Sequence, residues 1–190
     1  MELANDPTLR RKWSLILVQD FGVAGLTAWI LGRPDLARQR IAEMIAITNA
    51  NNPYELALSR LLIAESRFML REYDQSAALA GQALELSEKY QFPLLAAMSR
   101  CALGKVQKEL GHATPGVELL RQGITSLFET GATLNGVSNK LWLALSQEAA
   151  GTTVEAMETI DQALQEIPKQ YLLARKSQPV FEARLNDTTI

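Results

Sequence analysis

One histidine, His112, and one cysteine, Cys101, are the only residues in this 190-residue sequence offering imidazole or thiol chemistry. Nucleophilic catalysis needs a base beside the nucleophile and a third group orienting that base, and a structural zinc site needs four such ligands. Neither set can be assembled. Cys101 falls in an apolar helical run, where a lone cysteine is a small buried hydrophobe. His112 falls in a turn, between Gly111 and Thr114. The glycines Gly104, Gly111, Gly116 and Gly123 follow no strand and lack the GxxxxGK[ST] spacing of a phosphate cradle. Glu85 and Glu88 have the spacing of a solvated helix face. Acyl, phosphoryl and hydride transfer all lack their parts, so the expectation is a non-enzyme with no cofactor and no metal.

Composition narrows the class further. The net charge is −2, with 47% hydrophobic and 21% charged residues, which is ordinary for a globular protein. The one basic cluster, Arg10-Arg11-Lys12, is too short for a nucleic-acid footprint. A single cysteine excludes a disulfide framework and suits a reducing compartment. The longest uncharged stretch, Phe21 to Gly32, is too short to span a bilayer and holds three glycines. No signal peptide is visible. The expected setting is the cytoplasm, with no direct contact to nucleic acid or membrane.

The glycines matter as architecture. Gly104, Gly111, Gly116 and Gly123 define offsets 0, 7, 12 and 19. The same offsets 40 residues later fall on Ala144, Gly151, Ala156 and Ala163. Forty residues earlier they fall on Ala64, Arg71, Ser76 and Ala83, and 39 before that on Gly25, Gly32, Ala37 and Met44. All but Arg71 and Met44 are Gly, Ala or Ser. Small residues at a fixed period mark stacked helical hairpins whose backbones approach closely.

Caps and turns punctuate the same period. Asp6-Pro7 opens a leading helix over 7–19. Gly32-Arg33-Pro34 is a turn and restart, and Asn49 to Asn52 closes a helix through left-handed geometry. Asn52-Pro53-Tyr54-Glu55 and Thr152-Thr153-Val154-Glu155 read as capping boxes. Repeats are expected at about 20–51, 52–91, 92–131 and 132–168, then a terminal helix over 169–185. Pro179 breaks that last helix near Ser177-Gln178, and Asn186-Asp187-Thr188 is a chance sequon. No strand alternation persists, so the fold is all-α.

Offsets 0, 7, 12 and 19 match the small-residue positions of the tetratricopeptide consensus. The extra length over a 34-residue unit is expected in longer helices and longer loops between repeats. The segments Leu31-Gly32-Arg33-Pro34-Asp35-Leu36-Ala37, Phe92-Pro93, Gly116 to Ile124 and Thr130-Gly131-Ala132 resemble the C-terminal tetratricopeptide (TPR) region of bacterial class III adenylate/guanylate cyclase–ATPase fusions and MalT-like regulators. The resemblance covers about residues 6–167 and implies a TPR-like right-handed superhelix of about four 40-residue hairpins with flanking N- and C-terminal helices. It implies no catalysis, because the catalytic or DNA-binding domains of those proteins lie upstream of this region. After Pro168 the sequence departs from it, with Gln178-Pro179 where an unbroken helix is usual.

In that arrangement the first helix of each hairpin lines a concave groove. The residues placed there include Trp29, Leu61, Glu65, Phe68, Met69, Lys105, Lys108 and Glu148. Trp29, Phe68 and Met69 would form an exposed apolar anchor pocket for a peptide or helix. Glu65, Lys105 and Glu148 would supply converging polar groups. Arg60, Arg100 and Lys140, one per repeat, form a possible basic ladder for an acidic partner, unless each pairs with an acid of its own hairpin. The leading functional reading is a protein–protein interaction scaffold, a regulatory or sensor module of bacterial signalling. The alternatives are a small-ligand or peptide sensor and a self-assembling homodimer module.

Overall fold

A computed structural model of the chain describes residues 7–167. The expected Asp6 cap, terminal helix 169–185, Pro179 break and Asn186 sequon lie outside these residues. The described chain is helical, as α1 (Pro7–Ile30), α2 (Pro34–Ile47), α3 (Pro53–Met69), α4 (Tyr73–Lys89), α5 (Pro93–Glu109), α6 (Ala113–Glu129) and α7 (Thr133–Ala149). An eighth helix, α8, covers 153–167. No helix among them is long and apolar enough to cross a membrane.

The sequence expectation of a separate leading helix is corrected: α1 runs unbroken through Gln19 and Asp20 for 24 residues. Nothing there breaks a helix, and Gly22 serves packing instead. A Cβ on it would lie 2.9 Å from Leu62 Cδ1 on α3.

From α3 to α7 every helix has 17 residues and every link has three. Two such helices and two such links make the 40-residue period. The extra length over a standard unit therefore lies in the helices, not in longer loops between repeats. Each three-residue link turns through one left-handed residue. Gly32, Gly111, Gly131 and Gly151 have φ between 71° and 84°, and Arg71 and Gln91 take φ 61° and 57°. The pattern satisfies two orphan carbonyls of the outgoing helix, as when Gly111 N donates to Lys108 O at 3.0 Å and His112 N to Gln107 O at 2.8 Å. Side chains are strained in this conformation. Arg71→Gly and Gln91→Gly are each expected to stabilise the protein by up to about 1 kcal/mol, read from urea midpoints.

Two turn readings are corrected. The Asn49 to Asn52 run contains no positive φ; Thr48 Oγ1 donates to Met44 O instead, and Asn49 Oδ1 accepts from Asn51 N at 3.1 Å. Asn52 does cap α3, accepting from Tyr54 N and Glu55 N. The Glu55 carboxylate, however, does not complete a box. It is buried, and accepts from Asn49 N at 2.6 Å and Ser14 Oγ at 2.7 Å, tying α1, the α2–α3 link and α3 together. The box at Thr152 is not formed either. Thr152 Oγ1 donates to Gln147 O, and Glu155 turns to the Arg121 guanidinium, a stronger donor than a backbone N–H.

The odd-numbered helices pack on one another in sequence, and each inner even helix packs on the odd helices flanking it. No backbone contact joins α2, α4 and α6 to one another. The result is an all-α, TPR-like right-handed superhelix whose concave side is lined by α1, α3, α5 and α7.

Small residues sit where the two helices of a hairpin cross. Ser76 Oγ donates to Ala64 O at 2.8 Å. In the next hairpin the equivalent pair is Gly116 and Gly104, and a Cβ on Gly116 would lie 2.8 Å from Gly104 O. Gly116→Ala is therefore expected to cost about 1–3 kcal/mol by overpacking against backbone. Gly81→Ala, in α4 with nothing within 4 Å of the new Cβ, should gain about 0.5–1 kcal/mol. Thermal melts of the two variants should move in opposite directions.

Candidate functional site on the concave face

The centre of the concave side is built around a lysine. Lys105 on α5 donates from Nζ to both Glu65 oxygens on α3, at 2.7 and 2.8 Å. Its ammonium also lies 5.6 Å from the Phe68 ring centroid and 5.7 Å from that of Trp142. The two rings meet edge to face, with centroids 5.3 Å apart and planes at 86°. Tyr73 backs Phe68 at 5.7 Å. Burying an ammonium is costly unless a carboxylate and polarisable faces replace its water, and here both do.

The geometry follows from the period. Glu65 and Lys105 are 40 residues apart and hold the same position in successive repeats. Phe68, Lys105 and Trp142 are spaced by 37, three short of the repeat, so each lies most of a helical turn further back on the next inner helix. The superhelix is curved enough for α3 and α7 side chains to meet although their backbones do not.

Cys101 lies one turn before Lys105 and is buried. Burial pushes its thiol up to about 12, against an opposing pull from the Lys105 charge. The folded protein is therefore expected not to react with a thiol reagent at pH 8, and to react fully once denatured.

Several sequence-derived site residues take other places. Phe68 is 7% exposed and belongs to the interior, not to an exposed anchor. Leu61 is buried in the core. Trp29 is 40% exposed on α1, Met69 is half-buried, and no ring contact joins Trp29 to Phe68 among the described residues. The anchor pocket is thus not assembled as a unit. Lys108 pairs with its neighbour Glu109 at 2.7 Å. Glu148 is exposed and stands apart from the Glu65–Lys105 pair.

The basic ladder is mostly engaged. Arg100 pairs with Glu88 at 2.6 Å, reaching back to the preceding hairpin rather than its own. Lys140 pairs with Glu166 at 2.9 Å and lies 5.5 Å from the Phe128 ring centroid. Arg60 makes no ion pair among the described residues. Arg100 also lines a cavity of about 990 Å³ between α4, α5 and α6, with Ser87, Phe92, Leu94 and Glu129. That cavity is lined by the end of α4, the first half of α5 and the end of α6.

Sequence reasoning missed Trp142 and Tyr73, and the 37-residue diagonal is the signal that could have found Trp142. Chemically the cluster is self-satisfied, a cation held by its own carboxylate and rings. Among the described residues no three His, Cys, Asp or Glu side chains are grouped to hold a metal ion.

No protein-family model matches the chain, and no curated protein matches it in sequence. Solved structures do. The chain is similar to a crystal structure of MamA at 18% identity and TM-score 0.54, covering 86% of this chain and 89% of that one. It is similar to a second MamA crystal structure at 19% identity and TM-score 0.52, covering 81% and 75%. At that identity the likeness is one of fold.

Proposed function

We propose that the chain is a non-catalytic protein–protein interaction scaffold that takes a peptide or helix of its partner along the concave side. The observation that carries this reading is the pattern of exposure on the inner helices. Trp29 on α1 and Leu141 and Leu145 on α7 are large, apolar and exposed, on either side of a centre filled by Phe68, Lys105 and Trp142. Exposed apolar anchors beside a rigid surface suit an amphipathic helix or extended segment. A regulatory place in bacterial signalling, in the reducing cytoplasm, is the setting that the resemblance to cyclase-fusion and MalT-like repeats suggests. The test is photo-crosslinking from Trp29 and Leu145. One partner captured from both positions, and lost with Leu141→Glu, supports the reading. Capture unchanged by that substitution in a folded protein rejects it.

A second reading, a small-ligand sensor, is favoured by one feature. The cavity between α4, α5 and α6 has the volume of a small-molecule site, and Ser87, which lines it, is buried with a hydroxyl that has no partner among the described residues. A metabolite screen by thermal shift, repeated on Ser87→Ala, tests it. Stabilisation by a compound that is lost in the variant supports it, and no stabilised hit rejects it.

A further inference from the structure

The first and last described helices carry apolar faces more open than most of their counterparts in the repeats between, where Ile41 and Ala80 are buried and Leu62, Leu84 and Trp142 half-buried, Ile45 on α2 being the exposed exception. Inside the chain, each odd helix packs on the even helix before it. On α5 that involves Leu95 and Ala102, which share a core with Ala80 and Ala83 of α4. Their counterparts on α1, 79 residues earlier, are Ile16 and Val23, and both are open. Val23 is 63% exposed where Ala102 is 2%.

The other end mirrors this. On α6, Leu120, Ile124 and Leu127 are buried. Forty residues on, their α8 counterparts Ile160, Leu164 and Ile167 are exposed, Leu164 at 59% where Ile124 is 6%.

We propose that these faces are each other's partners: α8 of one copy stacks on α1 of a second copy as α4 stacks on α5 within the chain. The occupant is a second copy because the open faces are the two halves of a contact the chain already makes internally. The contact is heterologous, so it does not close on itself and extends head to tail. It uses the ends of the superhelix and leaves the concave side free, so it stands or falls apart from the partner-binding reading.

The test is light scattering coupled to size exclusion on the full chain across a concentration series. Wild type should exceed its 21.0 kDa chain mass progressively with concentration. Val23→Glu and Leu164→Glu change exposed side chains and should keep native circular dichroism. Each alone should be monomeric, because one face of every contact is spoiled. Mixed in equal amounts they should form a dimer that grows no further, since each retains the face the other lacks. A wild type monomeric at every concentration overturns the proposal, meaning that something else covers these faces. So does assembly that survives either single substitution, which would mark a self-complementary contact, and so does a mixture that stays monomeric.

Discussion

Replacing Phe68 with alanine is expected to cost about 3–5 kcal/mol, one of the two largest losses among single substitutions considered for this protein. The ring is 7% exposed and meets Trp142, Tyr73 and the Lys105 ammonium at once. Truncation removes the buried area, opens a cavity, and takes one aromatic face from a desolvated cation. Trp29→Ala, at the equivalent position one repeat earlier, should cost only about 1 kcal/mol, because a surface side chain surrenders little burial. Urea denaturation of the two variants separates the roles. A comparable loss in both would place Trp29 in the core and remove the main exposed anchor from the proposed concave surface.

Glu65→Ala is expected to destabilise by about 3 kcal/mol, because it strands a buried ammonium. The two partners are not equivalent. The Lys105 side chain is 9% exposed and that of Glu65 23%. An abandoned Glu65 can regain water, whereas an abandoned Lys105 cannot, so Lys105→Met should cost less, about 1 kcal/mol. The double variant should be close to Lys105→Met alone, and the resulting coupling is measured by a double-mutant cycle. Additive losses would show that the pair contributes nothing as a pair.

The architecture was legible in the sequence because it is written locally. The positions at offset 7, which are Gly32, Arg71, Gly111 and Gly151, all turn out left-handed. Even Arg71, the exception by residue type, follows the rest, since the hydrogen bonds of the link outweigh its steric cost. Ala64, Ser76, Ala83 and Ala144 are buried where hairpins cross. The site was legible only in part. Glu65 and Lys105 do come together, being one repeat apart. Phe68 looked like a groove residue because its position within its own helix faces inward; that Trp142 covers it depends on curvature accumulated over two repeats. Glu55 carried a capping signal, but a buried Ser14 hydroxyl and the Asn49 N–H compete more strongly for its carboxylate. Neither outcome is a property of one segment.

The contact between Phe68 and Trp142 has a consequence for how the molecule comes apart. A stack of hairpins that touch only their neighbours behaves as a one-dimensional chain, able to unzip rung by rung from either end. Here α3 and α7, two repeats apart, share a ring contact with Lys105 of the intervening repeat clasped between them. Next-nearest coupling of that kind ties the hairpins from α3 to α8 together, whereas α2 rests on α1 and only lightly on α3. Hydrogen exchange should find the helices from α3 to α8 opening together, with α2 released first.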